Sequence, residues 1–525
     1  MSVRSKRPNI LLITSDQQRA DCNGFVNKNI KTPHIDRIAR EGTRFSACIT
    51  PNLVCQPSRS SILTGMLPLT HGVWDNGVDL DPKTGEAGFA GTLAKAGYQT
   101  GFIGKAHFST KVTFEPTGTP ECNKSQAKYG PDWYGPYMGF QHCELNVLGH
   151  LHRTRPLEQP PVGHYERWLS SRGIDGEGIK LWAAETRAGT GAAQTWHSAL
   201  PAAWHSSTWI ADRAIKWIGD AAAKNDGNVG NEGDKPFCAW VSFPDPHHAF
   251  DCPEPWSLMY DPKDMVLPKH RTRDLDRRPW WHKASLESKP QVTDPVMLKF
   301  RAEGSRMPDQ TDAQLAEMTA NYYGMISQID HNVGRIMSAL ESAGVLDNTL
   351  VIYTTDHGEL LGNHGLYLKG PTPYEDLLRV TMVARGPGVA SRQLVVEPVS
   401  TLDLAATFYE TAGVAQPEGL QSRSLVKLLR GGAETRDVAY SEWHVHPSRC
   451  GVALKLRTVR TKKYKCTFEL ESGAGELYDL SNDPGEMNNL FDDPGYAQVR
   501  AELHDMMRAR PGAIVEPLAE PIGMA

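Results

Sequence analysis

The segment Cys55-Gln56-Pro57-Ser58-Arg59 places a thiol four residues before a cation, and Leu63-Thr64-Gly65 follows it. The thiolate is the nucleophilic form of cysteine, and both a neighbouring arginine and the amino terminus of a following helix favour its negative charge. Taken alone, the segment fits a nucleophilic cysteine and an inert structural cysteine about equally well. Its role therefore depends on which other groups the fold brings to it.

Two polar pairs, Asp16-Gln17 and Asp356-His357, supply atoms of the kind that bind metal ions. Either pair alone is more often a surface turn or a helix cap. Each pair, however, sits at the end of a predicted strand, so two carboxylates, an amide oxygen and an imidazole can meet around one cation. An oxygen-rich set with a single nitrogen suits Ca²⁺, Mg²⁺ or Mn²⁺ better than a tetrahedral zinc site.

Short β-branched apolar runs, each closed by polar residues, predict strands at Asn9–Thr14, Thr100–Ile103, Phe237–Ser242 and Thr349–Thr354. A long amphipathic helix is predicted between Ala313 and Ala343, with Gly344 as its stop. The alternation of strands and helices indicates an α/β fold. In open α/β sheets, ligands gather beyond the carboxyl ends of the strands, where we expect Asp16, Lys105, Pro244–His248 and Asp356.

The segment Cys55–Arg59 resembles the C-x-P-S-R motif of sulfatases, in which a dedicated enzyme oxidises the cysteine to formylglycine on the unfolded chain. Further likenesses extend over most of the sequence: Pro8 to Gln17 resembles the family's opening strand, Thr32 to Asp36 its "TPNID" helix start, and Glu476 to Leu490 its C-terminal hallmark. The resemblance implies an alkaline phosphatase-like fold: a mixed, mostly parallel central sheet flanked by helices, and a smaller C-terminal α+β domain.

The resemblance also implies roles for single residues. Asp16, Gln17, Asp356 and His357 would bind one divalent cation together with the group derived from Cys55. Arg59 would steady the nucleophile, and Lys105 would hold a sulfate oxygen. His107 would handle the formylglycine hydroxyls. His247 and Lys369 would contact the substrate and its leaving oxygen, and Asn76 would touch the oxyanion.

The activity implied is hydrolysis of sulfate monoesters, of the arylsulfatase type, through a covalent sulfo-enzyme intermediate. Formylglycine-generating enzyme would be a partner during maturation. The Asp-Gln and Asp-His pairs look more like those of choline sulfatases and phosphonate monoester hydrolases than like the Asp-Asp and Asp-Asn pairs of many calcium sulfatases. We therefore expect Ca²⁺ or Mn²⁺, and rank Mg²⁺ below them.

Two other functions compete with sulfate ester hydrolysis. The same metal site and Lys369 would serve a phosphonate monoester or phosphodiester hydrolase equally well, and turnover of both ester types is plausible. Lys105-Ala106-His107 favours sulfate, because the phosphonate hydrolases of this family place uncharged hydroxyl residues there. A phosphoethanolamine transferase, which uses a threonine nucleophile, is disfavoured by the intact C-x-P-S-R motif and by the lack of membrane helices.

Composition narrows the class of protein. The 525 residues carry a net charge of about −5 with scattered Lys and Arg, so we expect neither nucleic acid nor a membrane as partner. The nine dispersed cysteines indicate no disulfide framework and no zinc-thiolate site. The start of the chain looks like a first strand and not a signal peptide, which predicts a cytoplasmic protein.

We expect a catalytic domain over residues 1–414 and a smaller domain over 415–525, with a short antiparallel sheet and a terminal helix. Its strands are predicted at Asp437–Glu442, Val452–Arg460 and Lys463–Glu469, and the helix near Gln498–Arg510. Two stretches near 109–203 and 251–309 look like insertions, which we expect to form lids or contacts between copies of the chain.

Overall fold

A mixed sheet forms the centre of the computed structural model, which describes residues 7–147, 161, 163–224 and 235–524. The strands are, in chain order, β1 Asn9–Ser15, β2 Thr43–Ile49, β3 Gln99–Gly104, β4 Val112–Thr113, β5 His142–Leu145, β6 Thr195–Ser198, β7 Phe237–Ser242, β8 Phe250–Pro253, β9 Thr349–Thr355, β10 Arg379–Arg385, β11 Gln393–Val395, β12 Val399–Ser400, β13 Ala439–Val445, β14 Leu454–Arg460, β15 Tyr464–Glu469, β16 Gly475–Asp479 and β17 Gly523–Met524.

The helices cover both faces of this sheet. They are α1 Pro33–Glu41, α2 Cys55–Thr64, α3 Pro68–His71, α4 Pro82–Glu86, α5 Phe89–Lys95, α6 His164–Ser170, α7 Glu177–Trp182, α8 Ser206–Lys224, α9 Trp280–Glu287, α10 Pro295–Lys299, α11 Asp312–Ser342, α12 Glu375–Leu378, α13 Asp403–Ala412, α14 Val426–Leu429, α15 Pro447–Cys450 and α16 Ala497–Arg508. A π-helical turn, Phe300–Gly304, follows α10.

The central sheet has the strand order β11-β2-β10-β9-β1-β7-β3-β5, with β12 also paired to β2. Strands β9, β1, β7, β3 and β5 run parallel to one another, whereas β10 is antiparallel to both β9 and β2. The carboxyl ends of β1, β3, β7 and β9 therefore meet at one edge, as the sequence predicts. This is the mixed, mostly parallel sheet that we expected.

Alternate side chains of β1 pack into two different cores, one on each face of the sheet. For this reason every residue of the strand is buried. Ile10 and Leu12 pack with the side chains of α5 and α13, while Leu11 and Ile13 pack with those of α1, α8 and α11. Helix α11 begins with a capping box formed by Thr311 and Gln314. Gly344, with a φ of 67°, follows its end as predicted.

Strands β13–β16 form a second, antiparallel sheet toward the carboxyl end of the chain. The predicted strands and terminal helix of this region are confirmed within a few residues, and β16 was not predicted. Its apolar side chains, including Trp443 and Tyr478, share one core with Leu53 and Val54 of the first part of the chain. The bounds 1–414 and 415–525 stay a prediction.

The two predicted insertions have their own short elements. The stretch near 109–203 includes β4 to β6, α6 and α7, and part of it lies outside the described residues. The stretch near 251–309 includes α9, α10 and the π-helical turn. All nine cysteines are buried free thiols. No helix within the described ranges is long and apolar enough to cross a membrane.

Candidate active site at the carboxyl edge of the sheet

Cys55 is the first residue of helix α2 and is buried. Its Sγ lies 3.1 Å from His357 Nε2, 3.1 Å from Lys369 Nζ and 3.5 Å from Asp16 Oδ1. Burial and Asp16 raise the pKa of this thiol, but Lys105, Lys369 and His357 together outweigh them and lower it. The helix amino terminus favours negative charge at the same atom. The motif cysteine therefore lies among cations and metal-type ligands.

Asp16, Cys55, Asp356 and His357 form a cluster whose ligand atoms lie within 4.8 Å of one another. The His357 ring places Nδ1 2.9 Å from the carbonyl of Gly358, so an N–H there can donate and, in the neutral ring, direct the Nε2 lone pair toward the cluster. That Nε2 lies 3.7 Å from Asp16 Oδ1 and 3.9 Å from Asp356 Oδ1. Two oxygens and one nitrogen thus face a common point, which fits a divalent cation.

Arg59 is fully buried and contacts both carboxylates of the cluster. Its Nε donates to Asp356 Oδ2 at 2.8 Å, and its Nη2 lies 3.3 Å from Asp16 Oδ2. Its Nη1 donates to the carbonyl of Lys105 and to Ser242 Oγ, each at 2.7 Å. The guanidinium thus holds the outer oxygen of each carboxylate and leaves both Oδ1 atoms toward His357.

Asp16 is a carboxylate surrounded by the positively charged groups of the site. Its burial raises the pKa of the carboxyl, but the charges of Lys105, Arg59, Lys369 and His357 outweigh burial and hold the pKa well below its usual range. The ammonium of Lys105 forms a direct ion pair with Asp16 Oδ2 and lies 3.8 Å from Cys55 Sγ. Asp16 is therefore ionised in the folded protein.

Gln17 adopts a left-handed backbone conformation, with φ 63°, and joins the cluster through its backbone and its amide. Its N–H donates to Asp356 Oδ1 at 3.1 Å. Its side-chain Nε2 contacts Glu359 Oε2 and lies 3.0 Å from His248 Nδ1, while Oε1 accepts from Lys369 Nζ at 3.1 Å. Acceptors on one side and a donor on the other fix the amide with its oxygen toward the cluster.

Glu359 and His248 are the site residues that sequence reasoning missed. Glu359 is fully buried, and besides Gln17 it accepts from the backbone N–H groups of Leu361 and Leu368, the latter next to Lys369. The only sequence signal was its position, two residues after His357. His248 belongs to Pro244–His248, which the sequence places at this edge, but no role is predicted for it.

Lys369 and His247 lie beside the cysteine, where the sequence predicts them. Lys369 Nζ is 2.8 Å from His247 Nε2 and 3.2 Å from His357 Nε2, in addition to its contact with Cys55. His247 is buried and its ring stacks on that of His248, with centroids 4.0 Å apart. A cation and an imidazole are therefore available on the same side of the Cys55 side chain.

His107 and Asn76 both lie at the cavity, but the side-chain oxygen of Asn76 already accepts a backbone hydrogen bond from helix α2. Neither ring nitrogen of His107 has a hydrogen-bond partner in the described part of the chain. Burial, then Lys105 and Arg59, hold the pKa of His107 well below its usual value, so its imidazole is neutral at neutral pH. Asn76 Oδ1 accepts from the Gln56 N–H at 3.0 Å, and so ties the first turn of α2.

A cavity opens onto these side chains. The predicted residues that line it are Cys55, Asn76, Lys105, His107, His247 and Lys369. The other predicted residues, Asp16, Gln17, Arg59, Asp356 and His357, are fully buried and not among the lining residues. The fold thus brings all eleven predicted site residues to one edge of the sheet, five of them as a buried support and six at the cavity.

Comparison with known proteins agrees with this architecture. A family model described as "Sulfatase" matches residues 8–414, and one described as "N-sulphoglucosamine sulphohydrolase, C-terminal" matches residues 362–511. "Uncharacterized sulfatase YidJ" of Escherichia coli is 29% identical over 510 residues, covering 96% of this chain and 86% of that protein. An "Arylsulfatase" of Clostridium perfringens is 28% identical over 488 residues, covering 90% and 88%.

Among solved structures, the phosphonate monoester hydrolase of Agrobacterium radiobacter superposes with a TM-score of 0.73 at 25% identity, covering 96% of each chain. Its likeness extends over both sheets, as does that of the curated sulfatases. On the match of the family model to most of its length, this chain belongs to the sulfatase family of hydrolases, within the alkaline phosphatase-like superfamily.

Proposed function

We propose that the protein hydrolyses sulfate monoesters with a formylglycine formed from Cys55 by a formylglycine-generating enzyme, and with one divalent cation. The observation that carries the proposal is the position of Cys55. The motif cysteine begins a helix, lies 3.1 Å from both His357 and Lys369, and belongs to a cluster of metal-type ligands. A relative of similar length is named an arylsulfatase.

The cation would be held by Asp16, Gln17, Asp356 and His357, next to the Cys55 position. Three oxygen donors and one imidazole suit Ca²⁺ or Mn²⁺, with Mg²⁺ ranked below them. When bound, such a cation supplies a Lewis acid that stabilises negative charge on oxygen. Arg59 fixes the two carboxylates from behind, and we assign it a positioning role because it does not line the cavity.

The formylglycine hydrate would supply the attacking hydroxyl. Lys105 and Lys369, whose ammonium groups both approach Cys55 Sγ, neutralise the non-bridging oxygens of the sulfate group, whose charge would otherwise repel the carboxylates. The Lys369–His247 pair stands where a proton can pass to the leaving oxygen. His107, whose neutral ring faces the cavity without a partner, is the candidate proton acceptor for release of sulfate.

Hydrolysis of phosphonate monoesters is the second candidate, and the structural similarity to the Agrobacterium radiobacter enzyme favours it. The metal ligands and Lys369 would serve a phosphoryl centre equally well. The Lys105–His107 pair favours sulfate, because the family resemblance implies uncharged hydroxyl residues at this loop in the phosphonate hydrolases.

Initial rates with an aryl sulfate and the aryl phosphonate monoester of the same phenol test the choice. We expect a higher kcat/KM for the sulfate, and we expect both activities to vanish in a Cys55→Ala preparation that measures background hydrolysis. A preference for the phosphonate by several orders of magnitude would overturn the assignment to sulfate esters.

A further inference from the structure

Arg301 is a buried cation for which the proposed chemistry has no use. It lies in the π-helical turn Phe300–Gly304, its residue is only 4% exposed, and it lines the cavity that opens onto Cys55. Its Nε is buried without an acceptor, and the guanidinium forms no hydrogen bond or ion pair with any part of the chain that the structure describes. This distinguishes it from the other cations of the site.

The other arginine that lines the cavity, Arg449, forms an ion pair with a carboxylate. Its Nε lies 2.9 Å and 3.2 Å from the two carboxylate oxygens of Asp75, and its guanidinium stacks over the ring of Trp443 at 5.2 Å. Asp75 also accepts from Trp443 Nε1 at 3.1 Å. The ion pair of Asp75 is with Arg449, so the charge of Asp75 reaches Arg301 only at longer range, and no described carboxylate is paired with Arg301.

A buried charge without a counter-charge is unfavourable, and proteins keep one mainly where a ligand completes it. Burial and the charge of Arg449 outweigh the opposing charge of Asp75 and lower the pKa of Arg301 to about 9, which still leaves the guanidinium charged at neutral pH. Its planar fork of donors matches a carboxylate or a sulfate better than any neutral group. The vacant partner of Arg301 is therefore an anion that enters through the cavity.

The sulfate that undergoes hydrolysis does not account for this anion. That group is served by Lys105 and Lys369, which contact Cys55 directly, whereas Arg301 has no contact with Cys55 or with the carboxylates. Gln194 lines the same cavity, and its buried Oε1 has no hydrogen-bond donor in the described ranges. Besides the groups that contact Cys55, the cavity thus offers a cation and an amide acceptor, which suit a polar, anionic leaving group.

We propose that Arg301 binds a second anionic group, a carboxylate or a second sulfate, on the leaving-group part of the substrate. The proposal rests on the proposed function and names its substrate class: sulfate esters of acidic alcohols or phenols. A cationic leaving group, such as the quaternary ammonium alcohol of choline sulfate, would face an uncompensated guanidinium.

Matched esters test this proposal. The first pair is 4-carboxyphenyl sulfate and its methyl ester, which differ in charge but little in shape. The third ester, hydroquinone disulfate, replaces the carboxylate by a sulfate and so distinguishes the two anions. For each anionic ester, the measured quantity is its kcat/KM divided by that of the methyl ester.

In Arg301→Gln we expect this ratio to fall about 10- to 100-fold for at least one anionic ester, as loss of a charged hydrogen bond predicts. The ester with the larger fall identifies the anion. Arg306→Gln is the matched control: its Nη2 donates to the carbonyls of Ser288 and Cys450, so loosening of the segment without loss of the anion partner should leave the ratio unchanged. Equal ratios in the wild type and Arg301→Gln would overturn the proposal.

Binding and stability provide readouts apart from turnover. Calorimetric titration of Cys55→Ala should show tighter binding of the anionic ester than of the methyl ester. In the double variant that also carries Arg301→Gln, the two esters should bind with equal affinity. Tighter binding of the anionic ester without turnover of any sulfate ester would refute the proposed function and retain the anion site. Because Arg301 forms no ion pair or hydrogen bond within the described residues, Arg301→Gln should unfold at the same or a higher temperature; a clear fall would show a structural role instead.

Discussion

Arg59 has the most constrained side chain of the site. It is fully buried, and its three nitrogens donate to two carboxylates, a backbone carbonyl and Ser242. A guanidinium stays charged in such surroundings, so it offsets part of the repulsion between Asp16 and Asp356. The C-x-P-S-R motif identifies this arginine, but only the structure shows that it contacts Asp16 and Asp356 and does not line the cavity.

Cys55→Ala separates the reaction from metal binding. We expect nearly complete loss of turnover with the metal retained, because Asp16, Gln17, Asp356 and His357 still provide four ligands. The metal-to-protein ratio from plasma mass spectrometry checks this. Cys48→Ala, which removes another buried thiol of the same region, should keep both activity and metal. Loss of the metal in Cys55→Ala would mean that the ligand assignment is wrong.

Glu359→Ala tests a residue that the sequence did not identify. Without this carboxylate, the amide of Gln17 is free to turn and the backbone before Lys369 loses an acceptor. We expect a metal affinity about 10- to 100-fold weaker, as for other groups that orient metal ligands. Titration with buffered free metal measures it. Glu317→Ala, a buried glutamate bound to Thr190 and His197, is the control, and equal affinities in the two variants would refute the role.

At the scale of elements, the site exists because four neighbouring parallel strands end at one edge. Strands β9, β1, β7 and β3 are adjacent in that order, and Asp356, Asp16, Pro244 and Lys105 follow them. Apolar runs predicted these strands and the convergence of their ends. They did not show that β10 runs antiparallel to both of its neighbours, because the pattern of apolar residues indicates burial and not the direction of a strand.

Gly104→Ala is expected to disturb the end of β3. Gly104 has a φ of 117°, and a Cβ there would lie 1.9 Å from the carbonyl of Ser242 on β7. Since the carbonyl is backbone, the strands must separate, and Lys105 must move. We expect the free energy of unfolding to fall by more than about 1 kcal/mol, with loss of activity.

Chemical denaturation measures that change, and Gly219→Ala is its control. Gly219 lies in helix α8, where an added Cβ meets nothing within 4 Å, so alanine should stabilise by about 0.5–1 kcal/mol. If Gly104→Ala were as stable and as active as the wild type, the close approach of β3 and β7 would not be essential.

At the scale of the whole molecule, the second sheet supports the segment that leads into Cys55. Trp443 and Tyr478 share a core with Leu53 and Val54, and the N–H of Glu442 donates to the carbonyl of Pro51 at 2.9 Å. The sequence predicted a smaller C-terminal domain but not this shared core, because contacts between distant segments leave no local pattern. Two side-chain partners of Gln17, Glu359 and His248, escaped prediction for the same reason.

The shared core predicts that the two sheets unfold together. Scanning calorimetry of the whole chain should show one transition, since exposing Trp443 also uncovers the residues before Cys55. Trp443→Ala should lower the temperature of that single transition. Two well-separated transitions would instead indicate that the second sheet folds independently.

The tryptic peptide Phe45–Arg59, from protein made in a host with formylglycine-generating enzyme, tests the central claim most directly. It contains both Cys48 and Cys55. Mass spectrometry should show that Cys55 has exchanged a sulfur and two hydrogens for one oxygen, while Cys48 remains a thiol that can be alkylated. An active preparation in which both cysteines can be alkylated would contradict the claim that Cys55 works as formylglycine.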